Sequence, residues 1–198
     1  HLWVQNEDTA KLPNKVDRRS FKQLLAFDSP EAKNPEESRK CLQAREGFVV
    51  ELVAAEPLVL DPVAFDWGAD GKLWVAEMGD YPLGLDGKGK PGGVVRYLED
   101  TNMDGKYDRS TVFLSGLNFP TGVMAWGKGI LVSAAPEIFY AEDTNGDGRA
   151  DLRKVLFSGF REGNQQHRMN GFELGLDNWI YAANGDSGGV IKSAATGK

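Results

Sequence analysis

Two acidic loops and one histidine carry most of the side chains in this chain that can do chemistry. The segment EDTNGDGRAD (142–151) sets Asp143, Asn145, Asp147 and Asp151 at positions 1, 3, 5 and 9 of a loop, with Gly148 at position 6. Asp100, Asn102, Asp104 and Asp108 repeat that spacing around Gly105. Oxygen donors at alternate positions, with a glycine at the sharp turn, suit Ca²⁺, and a backbone carbonyl near position 7 would add a further ligand. Position 12 is Thr111 or Lys154 rather than the bidentate Glu of an EF-hand. Asp108 and Asp151 are therefore the residues to close the shell. The same residues also suit a hairpin loop whose Asp and Asn side chains bond their own backbone. Under either reading the loop is a structural clip between strands, not an active centre.

His167 lies in GNQQHRMNGFELGLDNWIYAANGDSGG (163–189), the segment richest in polar groups beside strands; the other histidine, His1, is terminal. The hairpin after His167 can bring Asp186 back beside it, where a carboxylate would orient an imidazole acting as general base. The alternative is a surface-loop histidine with Asp186 in a glycine-rich turn. GDSGG (185–189) does not make Ser187 a trypsin-like nucleophile. A triad needs separate His and Asp partners, and His167 is twenty residues upstream within one hairpin. GLDGKGKPGG (84–93) lacks the Gly-Lys-Ser/Thr of a phosphate loop and reads as a flexible connection.

The elements that position these groups follow from a repeat. YLEDTNMDGKYDRSTVFLSG (97–116) and YAEDTNGDGRADLRKVLFSG (140–159) are identical at eleven of twenty positions, without a gap. DPVAFDWGADGKLWVAE (61–77), FPTGVMAWGKGILVSAA (119–135) and RMNGFELGLDNWIYAAN (168–184) share a second design of strand, Gly-containing turn and strand. One unit reads as strands at 63–67, 73–77, 93–98 and 111–115; the next as 121–126, 130–134, 137–142 and 154–158. A third begins at 171–175 and 179–183 and continues at 189–192. Four short strands per repeat at this period describe the blades of a β-propeller. The expected fold is all-β, with four-stranded antiparallel blades, under three of them, and a short helical N-terminal segment. Trp67, Trp74, Trp126 and Trp179 read as blade-packing residues. Residues 48–54 read as the outer strand that closes the ring. Propellers close with about four to eight blades, so the expectation is a piece of a longer protein, the alternative being several copies sharing one ring.

The domain division expected is 1–46, helical or irregular, and 47–198, the partial propeller. NPEESRKCLQAREG (34–47) reads as a helix capped by Asn34, with Pro35 first, Glu36 and Glu37 in the first turn and Gly47 as the stop. VDRRSFKQLLAF (16–27) reads as a second short helix; residues 1–15 show no pattern.

Composition bounds the function. With 198 residues, 41% hydrophobic and 26% charged, the chain is a globular type. A net charge of −6, without a Lys/Arg run, argues against nucleic acid. No apolar window approaches the roughly 20 residues of a transmembrane helix. The chain starts at His1 rather than Met, as a mature or truncated product would, and Cys41 alone allows no internal disulfide.

EGFVVELVAAEPLVLDPVAFDWGADGKLWVAEMGDYP (46–82) and QQHRMNGFELGLDNWIYAANGDSGG (165–189) carry a resemblance. The chain resembles, over roughly residues 34 to 198, the secreted propeller proteins of planctomycetes labelled membrane-bound dehydrogenases. That group is similar to the soluble quinoprotein (PQQ-dependent) glucose and aldose sugar dehydrogenases. The resemblance implies His167 as the base that takes a substrate hydroxyl proton and Asp186 as its partner. It implies PQQ and Ca²⁺ as cofactors, a sugar or alcohol as substrate, and a secreted or periplasmic location. It also implies a c-type haem domain or cytochrome as electron acceptor. This chain reads His-Arg-Met-Asn-Gly-Phe-Glu-Leu, one residue longer between His and Leu than the enzymes' pattern. The functional expectation is a quinoprotein-type sugar or alcohol dehydrogenase. The alternative is a non-catalytic, Ca²⁺-stabilised propeller that binds a polysaccharide or a protein.

Overall fold

The computed structural model describes residues 32–198 together with Ser20 and Gln23. Residues 1–15, and the helix expected over 16–27 apart from those two positions, lie outside the described residues. The chain divides into two compact units, His1–Val50 and Glu51–Lys198.

In the first unit, α1 (Pro35–Lys40) starts as its sequence dictates: the Asn34 side chain accepts from the Glu37 amide, and proline occupies the first turn. The helix ends at Lys40, well short of the 34–47 expected. Its residues bury nothing and Leu42 beyond it is exposed. A short helix without a buried face is marginal in water, whatever its caps. Gly47, at φ +86°, serves a later turn closed by Phe48 N–H on Arg45 O.

The second unit is antiparallel β throughout. β1 (Pro62–Trp67), β2 (Leu73–Glu77), β3 (Gly93–Glu99) and β4 (Arg109–Leu117) form a sheet in that order. β5 (Gly122–Trp126), β6 (Gly129–Ala134), β7 (Glu137–Glu142) and β8 (Leu152–Phe160) repeat the meander. β9 (Asn170–Leu174) and β10 (Ile180–Ala183) form a hairpin that opens a third. The fold class is therefore all-β with four-stranded antiparallel meanders and a short N-terminal helix; no ring closes among the described residues. The second strands, β2 and β6, are buried along their whole length, which is why LWVAE and GILVSA read as near-continuous apolar runs rather than alternations.

Two expectations about strand pairing need correcting. β11 (Gly189–Ser193), read as the third strand of the third meander, instead pairs with β8 and makes the second sheet five-stranded. Its glycines allow this. A Cβ on Gly159 would meet Val190 O at 2.1 Å, and one on Gly189 would meet Gly159 O at 2.3 Å. The pairing satisfies an outer edge that would otherwise present free N–H and C=O groups. Residues 48–54, expected as an outer strand, are not in a strand. No described strand lies alongside to pair with them. Ala54, Leu58 and Val59 instead pack on Leu73, Val75 and Leu98, and Val53 O accepts from Tyr107 N–H at 2.9 Å.

The sheets stack face to face. Trp74, Ala76, Val95 and Phe113 of the first meet Val123, Ile130, Val132 and Phe139 of the second. Trp74 and Phe113 make an edge-on pair at 4.8 Å. Of the four tryptophans read as packing residues, Trp74 is buried and Trp67, Trp126 and Trp179 are exposed. Ile138, Phe160 and Met169 bury the next interface, with Phe172 of β9 against them. β5 lies beside both β1 and β9, and Asp66 on β1 accepts from Ala125 N–H on β5 at 2.8 Å. One buried ion pair stiffens the first sheet: Arg96 Nη2 and Glu77 Oε2 are 2.7 Å apart, and the other Glu77 oxygen accepts from Leu60 N–H.

Candidate functional site

The first strands β1, β5 and β9 all start at one end of the stack, where the loops after β2 and β10 also turn back. Side-chain bonds tie those loops together across long stretches of sequence. Gln166 Nε2 donates to Tyr81 Oη at 2.6 Å, Gln165 Nε2 to Pro82 O at 2.9 Å, and Thr121 Oγ1 to Met169 O at 2.5 Å. Beside them lies an open cavity of about 730 Å³ whose wall includes Asp61, Met78, Tyr81, Gln165, Gln166 and Asn170. Asp61 is the one charged side chain on that wall; no lysine or arginine among the described residues lines it.

His167 ends a 3₁₀ turn, Gln165–His167, that Asn164 caps by accepting from Gln166 N–H. Its Nδ1 lies 2.7 Å from Asp186 Oδ1, so the structure brings together the two residues singled out as base and partner. The local reason is backbone contact. Ser187 N–H donates to His167 O, and a Cβ on Gly185 would come within 2.3 Å of that same oxygen. Only glycine at 185 lets the GDSGG turn reach the histidine. The imidazole is half-exposed, and the cavity wall takes in its neighbours Gln165 and Gln166 but not the ring itself. With Asp186 accepting from Nδ1–H, Nε2 is the nitrogen left to take a proton.

Behind the dyad sit two residues that sequence reasoning passed over. Arg168 is buried, donating from Nε to Glu162 O at 2.8 Å and from Nη1 to Asn118 O, with its guanidinium over the Phe119 ring. It anchors the turn that carries His167. Asp80, also buried, accepts from Gly92 N–H and Phe119 N–H through one oxygen. A signal for it existed: Gly79-Asp80 follows β2 as Gly185-Asp186 follows β10. Tyr81 and Gln166 gave no such signal, because 85 positions separate them.

The acidic loops lie between the third and fourth strands of their sheets, and both fold alike. Asp100 accepts from the amides of Asp104 and Gly105, Asn102 from Asp104, and Asp104 from Lys106. Asp143 accepts from Asn145, Gly146 and Gly148, Asn145 from Asp147, and Asp147 from Arg149. The ninth-position carboxylates bond to the threonine at position 2 of each loop. Asp108 holds the Thr101 amide and hydroxyl, and Asp151 holds those of Thr144. Among the described residues no group of three or more His, Cys, Asp or Glu side chains is arranged to hold a metal ion. No described helix is long and apolar enough to cross a membrane.

The Gly148 amide, foremost among its bonds, holds the Asp143 carboxyl below the ordinary Asp range, and the Thr144 amide does the same for Asp151. A carboxyl whose folded pKa is depressed stabilises the fold above its unfolded value, near 4. That contribution is lost as pH falls through the lower, folded value. The amide resonances of Thr144 and Gly148 are therefore expected to stay put from neutral pH down to about 4 and to move only below it. Movement already between pH 6 and 5 would show that these carboxyls are not held as described.

No curated protein and no solved structure matches the chain significantly. A family model described as a domain of unknown function, DUF7133, matches residues 34–198. The matched region takes in α1, every strand, both acidic loops and the His167–Asp186 pair: the chain belongs to the DUF7133 family.

Proposed function

We propose that the His167 end of the stack is a general-base site acting on the hydroxyl of a neutral small molecule, a sugar or an alcohol. The observation that carries this is the 2.7 Å contact between His167 Nδ1 and Asp186 Oδ1 beside an amide- and phenol-lined cavity. Asp186 holds the Nδ1 proton and the ring plane, Nε2 accepts the hydroxyl proton, and Arg168 fixes the backbone that presents the ring. Gln and Asn amides, the Tyr81 phenol and Asp61 offer donors and acceptors of the kind a polyol pairs with, while Met78 and Val63 offer apolar contact. The likeness to planctomycete dehydrogenases and to quinoprotein sugar dehydrogenases supports the same reading, as an exported oxidoreductase.

The quinone of those enzymes does not fit this wall. PQQ is a tricarboxylate, which asks for lysine or arginine, and among the described residues none lines the cavity. Arg168 is committed to backbone carbonyls.

A second reading, a Ca²⁺-braced propeller that binds a polysaccharide or a protein, is favoured by the matched hydrogen-bond patterns of the two loops. The oxygens of Asp100, Asn102, Asp104 and Asp108, and of Asp143, Asn145, Asp147 and Asp151, would hold the ion, a hard cation suited to such donors. Its part would be to fix the loop.

The test is dye reduction by the chain against a panel of sugars and alcohols, the dye serving as the two-electron acceptor, alongside a sugar titration followed by amide NMR. Turnover, with shifts at Tyr81, Gln166 and Asn170, supports the base site. Shifts without turnover favour the binding module.

A further inference from the structure

Among the described residues three charged side chains are buried: Glu77, Asp80 and Arg168. Glu77 pairs with Arg96. Asp80 keeps one oxygen, Oδ1, buried without a hydrogen-bond partner, while Arg168 bonds neutral carbonyls. A buried charge is costly unless an opposite charge compensates it. Phe119 joins these two. Its N–H donates to Asp80 Oδ2 at 3.1 Å, its ring centroid lies 5.0 Å from the Arg168 guanidinium, and its neighbour Asn118 accepts from Arg168 Nη1. Phe119 is buried and stands at φ +48°, where a bulky side chain is rare and is held only by its surroundings. Burial, foremost, holds the Arg168 guanidinium below the usual arginine range, and the carboxylates of Glu162 and Asp80 act against it. The Asp80 charge is therefore felt at Arg168.

Each of the three residues adjoins the site. Asp80 directly precedes Tyr81, Phe119 lies two positions before Thr121, and Arg168 directly follows His167. Tyr81 and Thr121 line the cavity. The three come from different meanders: the loop after β2, the loop before β5 and the loop before β9. Their approach is close. Gly92 N–H is the second amide on Asp80 Oδ2, and a Cβ on the adjoining Gly93 would overlap the Pro120 ring. A displacement at any one of the three is thus passed to a residue of the site.

We propose that Asp80, Phe119 and Arg168 are positioning residues for His167, two buried charges joined through one strained aromatic that set where the imidazole stands relative to Tyr81. The role rests on the base reading above. Asp80→Asn in the intact chain keeps an oxygen for both amides and removes the charge. It is expected to lower kcat about 10²-fold, the loss that a misplaced group brings, with KM little changed. Asp80→Asn combined with Arg168→Gln is expected to lose no more than the worse single variant, because residues that act as a unit are not additive. Long-range ¹H–¹⁵N correlation of the His167 ring reads the same link without substrate. Its signals are expected to move in Asp80→Asn, and in Phe119→Leu, which keeps the bond to Asp80 and removes the ring beneath the guanidinium. If Asp80→Asn loses its β circular dichroism, Phe119→Leu decides. Ring signals that stay put in the folded variants, a kcat that holds while they move, or strictly additive losses would overturn the proposal. A wild-type chain without turnover removes the base reading instead, and the ring signals then still decide whether these residues hold the imidazole.

Discussion

Replacing His167 by alanine is expected to lower turnover of a sugar or alcohol by about 10²- to 10⁴-fold, the range that a positioned general base contributes. The structure gives that loss a specific route. Asp186 holds Nδ1 at 2.7 Å, so the ring has one nitrogen free to accept a proton, and alanine removes it. Asp186→Asn keeps the ring but replaces the anionic acceptor that selects its tautomer, so activity is expected to fall in the same direction. The binding term should respond differently. Tyr81 and Gln166 line the cavity, so a sugar still shifts their amide resonances in His167→Ala. Turnover unchanged in both variants would remove His167 from the chemistry, whatever the chain binds.

Phe139→Ala is expected to cost about 3–5 kcal/mol of stability, as emptying a fully packed aromatic site does. Phe139 is completely buried at the junction of the first two sheets, and the Arg153 guanidinium lies 3.9 Å from its ring centroid. Truncation forfeits the packing on Trp74 and Val95 side and the cation–π contact together. Against a total of about 5–15 kcal/mol for a typical domain, that is a large fraction. Urea denaturation reads it as a lower midpoint at constant slope. Val190→Ala, at an exposed position, should stay within about 0.5 kcal/mol of wild type. A similarly small effect at Phe139 would mean that the two sheets do not pack face to face.

Much of the fold was legible because two signals agreed. The repeated ED-T-N loops marked the turn between third and fourth strands, and apolar runs such as LWVA and GILVSA marked the buried second strands. What was missed depends on neighbours that no local pattern records. GVIKS reads as a strand whichever edge it joins. The choice of β8 rests on Gly159 and Gly189, which allow a backbone approach that a side chain would block. The residues after Lys40 are tolerable helix formers, but the helix lacks a buried face to hold them. In the site, His167 and Asp186 were readable because a single hairpin returns one to the other. The cavity wall was not: Gln166 meets Tyr81 only once β5 has stacked beside β1 and β9 beside β5.

Asp186, 2.7 Å from Nδ1, fixes the imidazole with Nε2 free. Long-range ¹H–¹⁵N correlation of the histidine rings tests it without any substrate, and only His1 and His167 contribute signals. With the rings neutral, His167 is expected as the Nδ1–H tautomer, and that preference is expected to be lost in Asp186→Asn. A His167 ring protonated at Nε2, unchanged by Asp186→Asn, would contradict it.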